Sequence, residues 1–133
     1  MEAAVVSEIR ILVTGSRLIT PGADERLIVS VLDELYEQVA ARRRIAIVHG
    51  GACGVDMVAA FWATGSGVLQ ERHDADWDEY GKAAGPRRNR EMVDAGAHLC
   101  VAFPRRSSIG TWDCIRQAAN AGIPVRIYPL TEA

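Results

Sequence analysis

Ile45-Ala46-Ile47-Val48-His49-Gly50-Gly51-Ala52-Cys53-Gly54-Val55-Asp56 passes from a short β-branched run, through a glycine-bearing turn, into helical patterning. Ile45 to Val48 is short enough for a buried strand, and a helix is expected from about Cys53 to Ala63. The same hand-over occurs twice more. Ile9 to Val13 leads into Gly15-Ser16-Arg17, and Leu99 to Phe103 leads into Ser107-Ser108-Ile109-Gly110-Thr111. In a parallel sheet all three turns lie at the carboxyl ends of strands, the edge where open α/β sheets bind ligands.

The stretches between these turns complete the pattern. Leu27, Ile28, Val31, Leu32, Leu35 and Val39 share one face of a helix expected over 24–44, with Arg42, Arg43 and Arg44 at its end. Gly65-Ser66-Gly67 reads as a turn into a third strand, Val68 to Arg72. Residues 74–85 are the least regular part and hold Trp77 and Tyr80. A helix is expected over 86–95, with Pro86 in its first turn, then a fourth strand (99–103), a last long helix (110–121) and a fifth strand (125–128). Gly122-Ile123-Pro124 stops that last helix. The order βαβαβαβαβ gives an α/β fold: a Rossmann-like three-layer sandwich around a parallel sheet of about five strands. No repeat or linker divides residues 1–133, so one domain is expected, with its core over about 9–128.

Bulk properties narrow the function. Hydrophobic residues make up 49% and charged residues 24%, as in an ordinary globular domain. The net charge of −2 supplies no overall field to gather nucleic acid, which is not expected as a partner. Cys53, Cys100 and Cys114 show no CxxC spacing and read as reduced thiols. The apolar runs fall far short of a bilayer span, and Met1-Glu2-Ala3-Ala4 has no basic region, so a cytoplasmic protein without a membrane segment is expected. His73 has no partner at metal-ligand spacing, and neither a metal nor a cofactor is assigned.

The turns carry the candidate site. Gly50-Gly51-Ala52-Cys53-Gly54-Val55-Asp56 matches neither the Walker A loop nor the G-x-G-x-x-G fingerprint. Gly50, Gly51, Ala52 and Gly54 can still bring backbone N–H groups to an anion, or simply shape a tight turn. Asp56 suits either the helix dipole or a ligand hydroxyl. Gly15, Ser16 and Arg17 offer a hydroxyl and a guanidinium to a phosphate; a surface arginine beside a capping serine is the plain alternative. Arg87-Arg88-Asn89-Arg90 lie within one helix, so at most one or two of these arginines face any site. Trp77 can stack on a base or anchor its loop.

Together, Gly15-Ser16-Arg17, Gly50-Gly51-Ala52, Gly54-Val55-Asp56, Trp77, Gly81, Gly85, Arg88-Asn89, Met92 and Gly110-Thr111 resemble the YspA-like branch of the SLOG superfamily. That superfamily also holds the LOG phosphoribohydrolases and the Smf/DprA DNA-processing proteins. The resemblance spans about Ile9 to Tyr128. It implies a Rossmann-like fold with a nucleotide or nucleotide derivative at the carboxyl edge of the sheet. Arg88 matches the arginine that LOG enzymes use, and Gly110 and Thr111 match their Gly-Thr pair. The LOG catalytic glutamate falls on Cys114, with Asp113 one residue early, and Ser107-Ser108 replace paired glycines.

The expected function is therefore a nucleotide-binding or sensing domain. Its ligand would contact Gly15, Ser16, Arg17, Gly50, Gly51, Ala52, Gly54, Asp56, Trp77, Arg88, Asn89, Ser108, Gly110 and Thr111. The expected partner is a nucleotide or a small molecule of the NAD or ADP-ribose type. An alternative is phosphoribohydrolase activity using Arg88 with Asp56 or Asp113. A second alternative is a DNA-processing or single-stranded DNA-binding module. By analogy with LOG-type relatives, a homodimer is expected.

Overall fold

Ile11 and Val13 pack to one side of their strand and Leu12 to the other, and all three are completely shielded from solvent. A strand apolar on both faces belongs inside a parallel sheet covered by helices. In the computed structural model, which describes residues 8–132, this strand is β1 (Glu8–Gly15), the centre of the sheet. Both ends of the expected domain, Met1–Ala4 included, lie outside the described residues.

Four further strands flank it: β2 (Arg44–His49), β3 (Leu69–Arg72), β4 (Leu99–Phe103) and β5 (Val125–Ile127). All pairs are parallel, in the order β3-β2-β1-β4-β5. Leu12 lies opposite Val48 on one side and Cys100 on the other, and Gly15 lies opposite Phe103.

The helices form the outer layers. α1 (Ala23–Val39) and α2 (Val55–Ser66) cover one face, where Ile28, Leu32, Val55 and Ala59 meet Ile11, Val13, Ile47 and Val101. After a one-turn helix, α3 (Trp77–Tyr80), and a 3-10 turn over 81–83, α4 (Ala84–Ala95) and α5 (Ile109–Asn120) cover the other face. There Met92, Val93, Cys114 and Ala118 pack on Leu12, Val48 and Cys100. Because β2 and β4 lie on opposite sides of β1, the order in which strands are added reverses there. A crevice opens above the carboxyl ends of β1 and β4.

The fold class stands as expected, with several boundaries corrected. α1 ends at Val39, not Arg44: the Arg42 and Arg43 amides bond back to the Val39 carbonyl, and Arg44 opens β2 opposite Glu8. Pairing with β1 outweighs any gain from placing the arginines on the helix end. Gly65 and Ser66 continue α2, and the left-handed Gly67 (φ 67°) stops it. Residues 74–85 are more regular than expected. Asp76 caps α3 by accepting from the Glu79 amide at 3.1 Å, and α4 begins two residues before Pro86.

Candidate functional site

A cavity of about 390 Å³ occupies the crevice, lined by Gly15, Arg17, Ala52, Asp56, Trp77, Arg88, Asn89, Gly110 and Thr111 among others. A shallower cavity of about 380 Å³ adjoins it and shares Arg17, Ala52, Trp77 and Arg88. Gly50, Gly51 and Cys53 line only the second. Thus the β1, β2 and β4 turns converge.

The β2–α2 loop is held from within. Asp56, on the first turn of α2, accepts from the amides of Gly50 (3.1 Å) and Ala52 (3.3 Å) through Oδ2. The Gly51 amide donates to His49 Nδ1 at 3.0 Å, which leaves the other His49 nitrogen for the Gln70 side-chain oxygen at 3.2 Å. Three amides that could have met a phosphate are therefore already bonded. Burial pushes the Asp56 carboxyl up from its usual range, against the pull of the Ala52 amide, Arg88, His49 and the Gly50 amide.

The glycines act chiefly inside the protein. Gly54 has φ 78°, and a Cβ there would strike the Ser16 carbonyl and the Arg17 backbone. The Val55 amide donates to that Ser16 carbonyl at 3.1 Å, so Gly54 permits the β2–α2 loop to dock on the β1 turn. Ser16 is buried, and its hydroxyl exchanges bonds with the Leu18 carbonyl (2.7 Å) and amide (3.1 Å). Its hydroxyl is thus engaged within its own turn, whereas the Arg17 guanidinium lies 5.0 Å from the centre of the Trp77 ring at the boundary of the two cavities.

Arg88 and Asn89 tie the loops together. Arg88 donates to the Gly50 carbonyl (Nη1, 2.8 Å) and to Asn89 Oδ1 (Nε, 3.0 Å). Asn89 in turn donates to the Gly110 carbonyl (3.1 Å) and to Asp113 Oδ2 (3.0 Å). As helix geometry requires, the neighbouring arginines diverge: Arg87 sits over Tyr80, and Arg90 lies 3.7 Å from Asp94.

At α5 the donors remain open. No side chain caps the helix, and the first-turn amides of Gly110 and Thr111 have no protein acceptor among the described residues. The Ser108 hydroxyl instead accepts from the Arg105 amide at 3.0 Å. Asp113 lines the cavity, where Gln117 (2.9 Å) joins Asn89 on its Oδ2, whereas Cys114 is fully buried against Cys100. The helix phase thus turns the acid toward the site and the thiol into the core. Lys82 and Arg116 also line the cavity and were not singled out in the sequence. Arg116 carries the helical signal of standing three residues after Asp113.

The profile of the family described as YAcAr, the YspA, cpYpsA-related SLOG family, matches residues 9–80. The chain belongs to this family. The SLOG domain is 45% identical over 122 residues to the Gene 61 protein of Mycobacterium phage D29, covering 87% of this chain and 93% of that protein. Its fold is similar to the X-ray structure of TM1055, with a TM-score of 0.65 at 19% identity over 88% of this chain and 72% of the other. This is a Rossmann-like domain of a nucleotide-related family. No helix among the described residues is long and apolar enough to cross a membrane.

Proposed function

We propose that the crevice binds a nucleotide or nucleotide derivative, with the ligand phosphate at the start of α5 and Arg17 or Arg88 as its charge partner. One observation carries the reading: the uncapped α5 N-terminus opens into a cavity also lined by Arg17, Lys82, Arg88 and Arg116. Helix N–H groups and guanidinium forks together match a phosphate. The amides of Gly50, Gly51 and Ala52, held by Asp56 and His49, shape the site rather than donate to the ligand. Trp77, about half exposed at the mouth, offers a face for a base. The domain acts as a binding or sensing module, since the position that carries the LOG glutamate holds the buried Cys114.

Thermal unfolding against mononucleotides, NAD, ADP-ribose and cyclic nucleotides tests this. A ligand at 100 times its dissociation constant adds roughly 2.7 kcal/mol. The expected result is a raised Tm in wild type that Arg88→Ala reduces. No shift with any of these ligands rejects the reading.

A phosphoribohydrolase is the second reading, favoured by the cavity position of Asp113, where a carboxylate could stabilise charge developing on the ribose. Release of free base from a nucleoside monophosphate, lost in Asp113→Asn, would select it over simple binding.

A further inference from the structure

Asp56 is buried, and its two oxygens differ sharply. Oδ2 holds the Gly50 and Ala52 amides, whereas Oδ1 is buried without any hydrogen-bond partner. A buried acceptor left without a donor is costly, and proteins rarely keep one without a use. Asp56 lines the cavity but its Oδ1 is shut off from solvent, so a bound molecule can supply the missing donor once a small shift opens Oδ1 to the cavity. The other carboxylate lining that cavity is already served: Asp113 Oδ2 takes Asn89 and Gln117, and its Oδ1 lies 3.9 Å from Arg116.

The chemistry of that donor is restricted. A phosphate at neutral pH is chiefly an acceptor, and its negative charge would be repelled by a carboxylate. A neutral hydroxyl fits, because it can donate to Oδ1 without bringing charge into the floor of the crevice. The lining also offers a partner for each group of a nucleotide: open amides at α5 for phosphate, a free carboxylate oxygen on α2 for sugar and an aromatic face at Trp77 for base.

We propose that Asp56 Oδ1 accepts a hydrogen bond from a sugar hydroxyl of the ligand, so that the site selects ribonucleotides over their deoxy counterparts. This rests on the nucleotide reading above. It makes Asp56 a specificity residue that also holds the loop from which it reads the ligand.

Asp56→Asn is the informative change. The asparagine oxygen can keep the Gly50 and Ala52 amides, while its NH₂ group replaces the free acceptor by a donor. Calorimetric titrations would compare AMP, GMP, CMP and UMP with their 2′-deoxy and 3′-deoxy forms, on wild type and on Asp56→Asn. Wild type should bind its preferred ribonucleotide about ten- to a hundredfold tighter than at least one deoxy form, the range of a hydrogen bond to a charged group. Asp56→Asn should narrow this preference, because a neutral amide donating to the hydroxyl replaces a charge-assisted bond, and should leave the deoxy form unchanged. Equal binding of ribo and both deoxy forms by wild type overturns the proposal while the nucleotide reading stands. Discrimination of undiminished size in Asp56→Asn overturns it too, by assigning the hydroxyl to another residue. Failure of the four monophosphates to bind wild type overturns the proposal, and failure of NAD, ADP-ribose and the cyclic nucleotides as well removes the nucleotide reading with it. The wild-type comparison decides even if Asp56→Asn does not fold.

Discussion

Arg88 donates to the Gly50 carbonyl at 2.8 Å, and its guanidinium occupies the space into which a Cβ on Gly50 would project. The absence of a side chain at Gly50 is therefore what lets an arginine from α4 lie against the end of β2. This contact links the β2–α2 loop to α5 through Asn89.

Gly50→Ala should displace Arg88 without wrecking the fold. The colliding atoms are the far end of a flexible side chain, and Gly50 does not have positive φ. The change in unfolding free energy should not exceed about 1.5–3 kcal/mol, the worth of a hydrogen bond made by a charged group. Nucleotide affinity should fall much as in Arg88→Ala. The double variant should be no weaker than Arg88→Ala alone, since both changes remove one shared contact. Additive losses in a double-mutant binding cycle would show that the two residues act separately.

Gly54→Ala should be far more damaging than Gly67→Ala. Both glycines have positive φ, but only Gly67 (φ 67°, ψ 28°) is left-handed helical, where a Cβ costs roughly 1–2 kcal/mol. Gly54 (φ 78°, ψ −124°) lies outside that region and is more strained for any side chain. A Cβ on Gly67 meets open space, whereas one on Gly54 meets the rigid backbone of Ser16 and Arg17. Urea unfolding should place Gly54→Ala about 2 kcal/mol or more below Gly67→Ala, from overpacking and the harsher backbone strain together. Equal losses would mean that the two loops do not dock as described.

Glu71 should contribute to stability at neutral pH and lose that contribution in acid. Arg10 grips both its oxygens at 2.9 and 2.8 Å, and His73 approaches at 2.7 Å. Hydrogen bonding to Arg10, then to His73, lowers the carboxyl from its ordinary 4.5 to about 2. A carboxyl depressed by folding stabilises above its unfolded value, and that stabilisation disappears as pH falls through the folded one. Wild type should therefore lose stability relative to Glu71→Gln between pH 4.5 and 2. The carboxylate is more than a third exposed, so solvent screening keeps the effect modest. Parallel stability curves for the two proteins across this window would remove Glu71 from the acid response.

The central strands were legible because β1, β2 and β4 are apolar on both faces, a pattern that burial in a parallel sheet demands. Partner choice at the edges was not legible. Arg42 to Arg44 look like helix-end cations until the register of β2 against β1 claims Arg44 for the sheet. Glycine and arginine positions marked turns that meet at the crevice, but composition does not say which surface approaches a glycine. Gly54 faces backbone and Gly50 faces Arg88, and neither neighbour lies close to it in sequence. The roles of Asp113 and Cys114 depend on helix phase, which becomes definite only once α5 is docked on β1 and β4. His49 carried one faint signal, its place at the end of a strand directly before two glycines.

Arg105 should hold two of the site's loops together. Its side chain is 13% exposed and reaches the Thr20 hydroxyl at 3.2 Å and the Asp24 carboxylate at 3.6 Å, while Asp24 takes the Thr20 amide at 2.6 Å. The β4–α5 connection, which leads into Gly110 and Thr111 on the first turn of α5, is thereby tied to the segment that follows Arg17. Arg105→Ala leaves a nearly buried carboxylate with one backbone donor and no cation, at a cost of about 2–3 kcal/mol. Asp24→Asn in the same background should recover part of that loss, because removing the stranded charge removes its desolvation penalty. Chemical unfolding of the single and double variants measures both steps. If the second substitution instead deepens the loss, Asp24 is stabilised chiefly by the Thr20 amide, and Arg105 is only a neighbour.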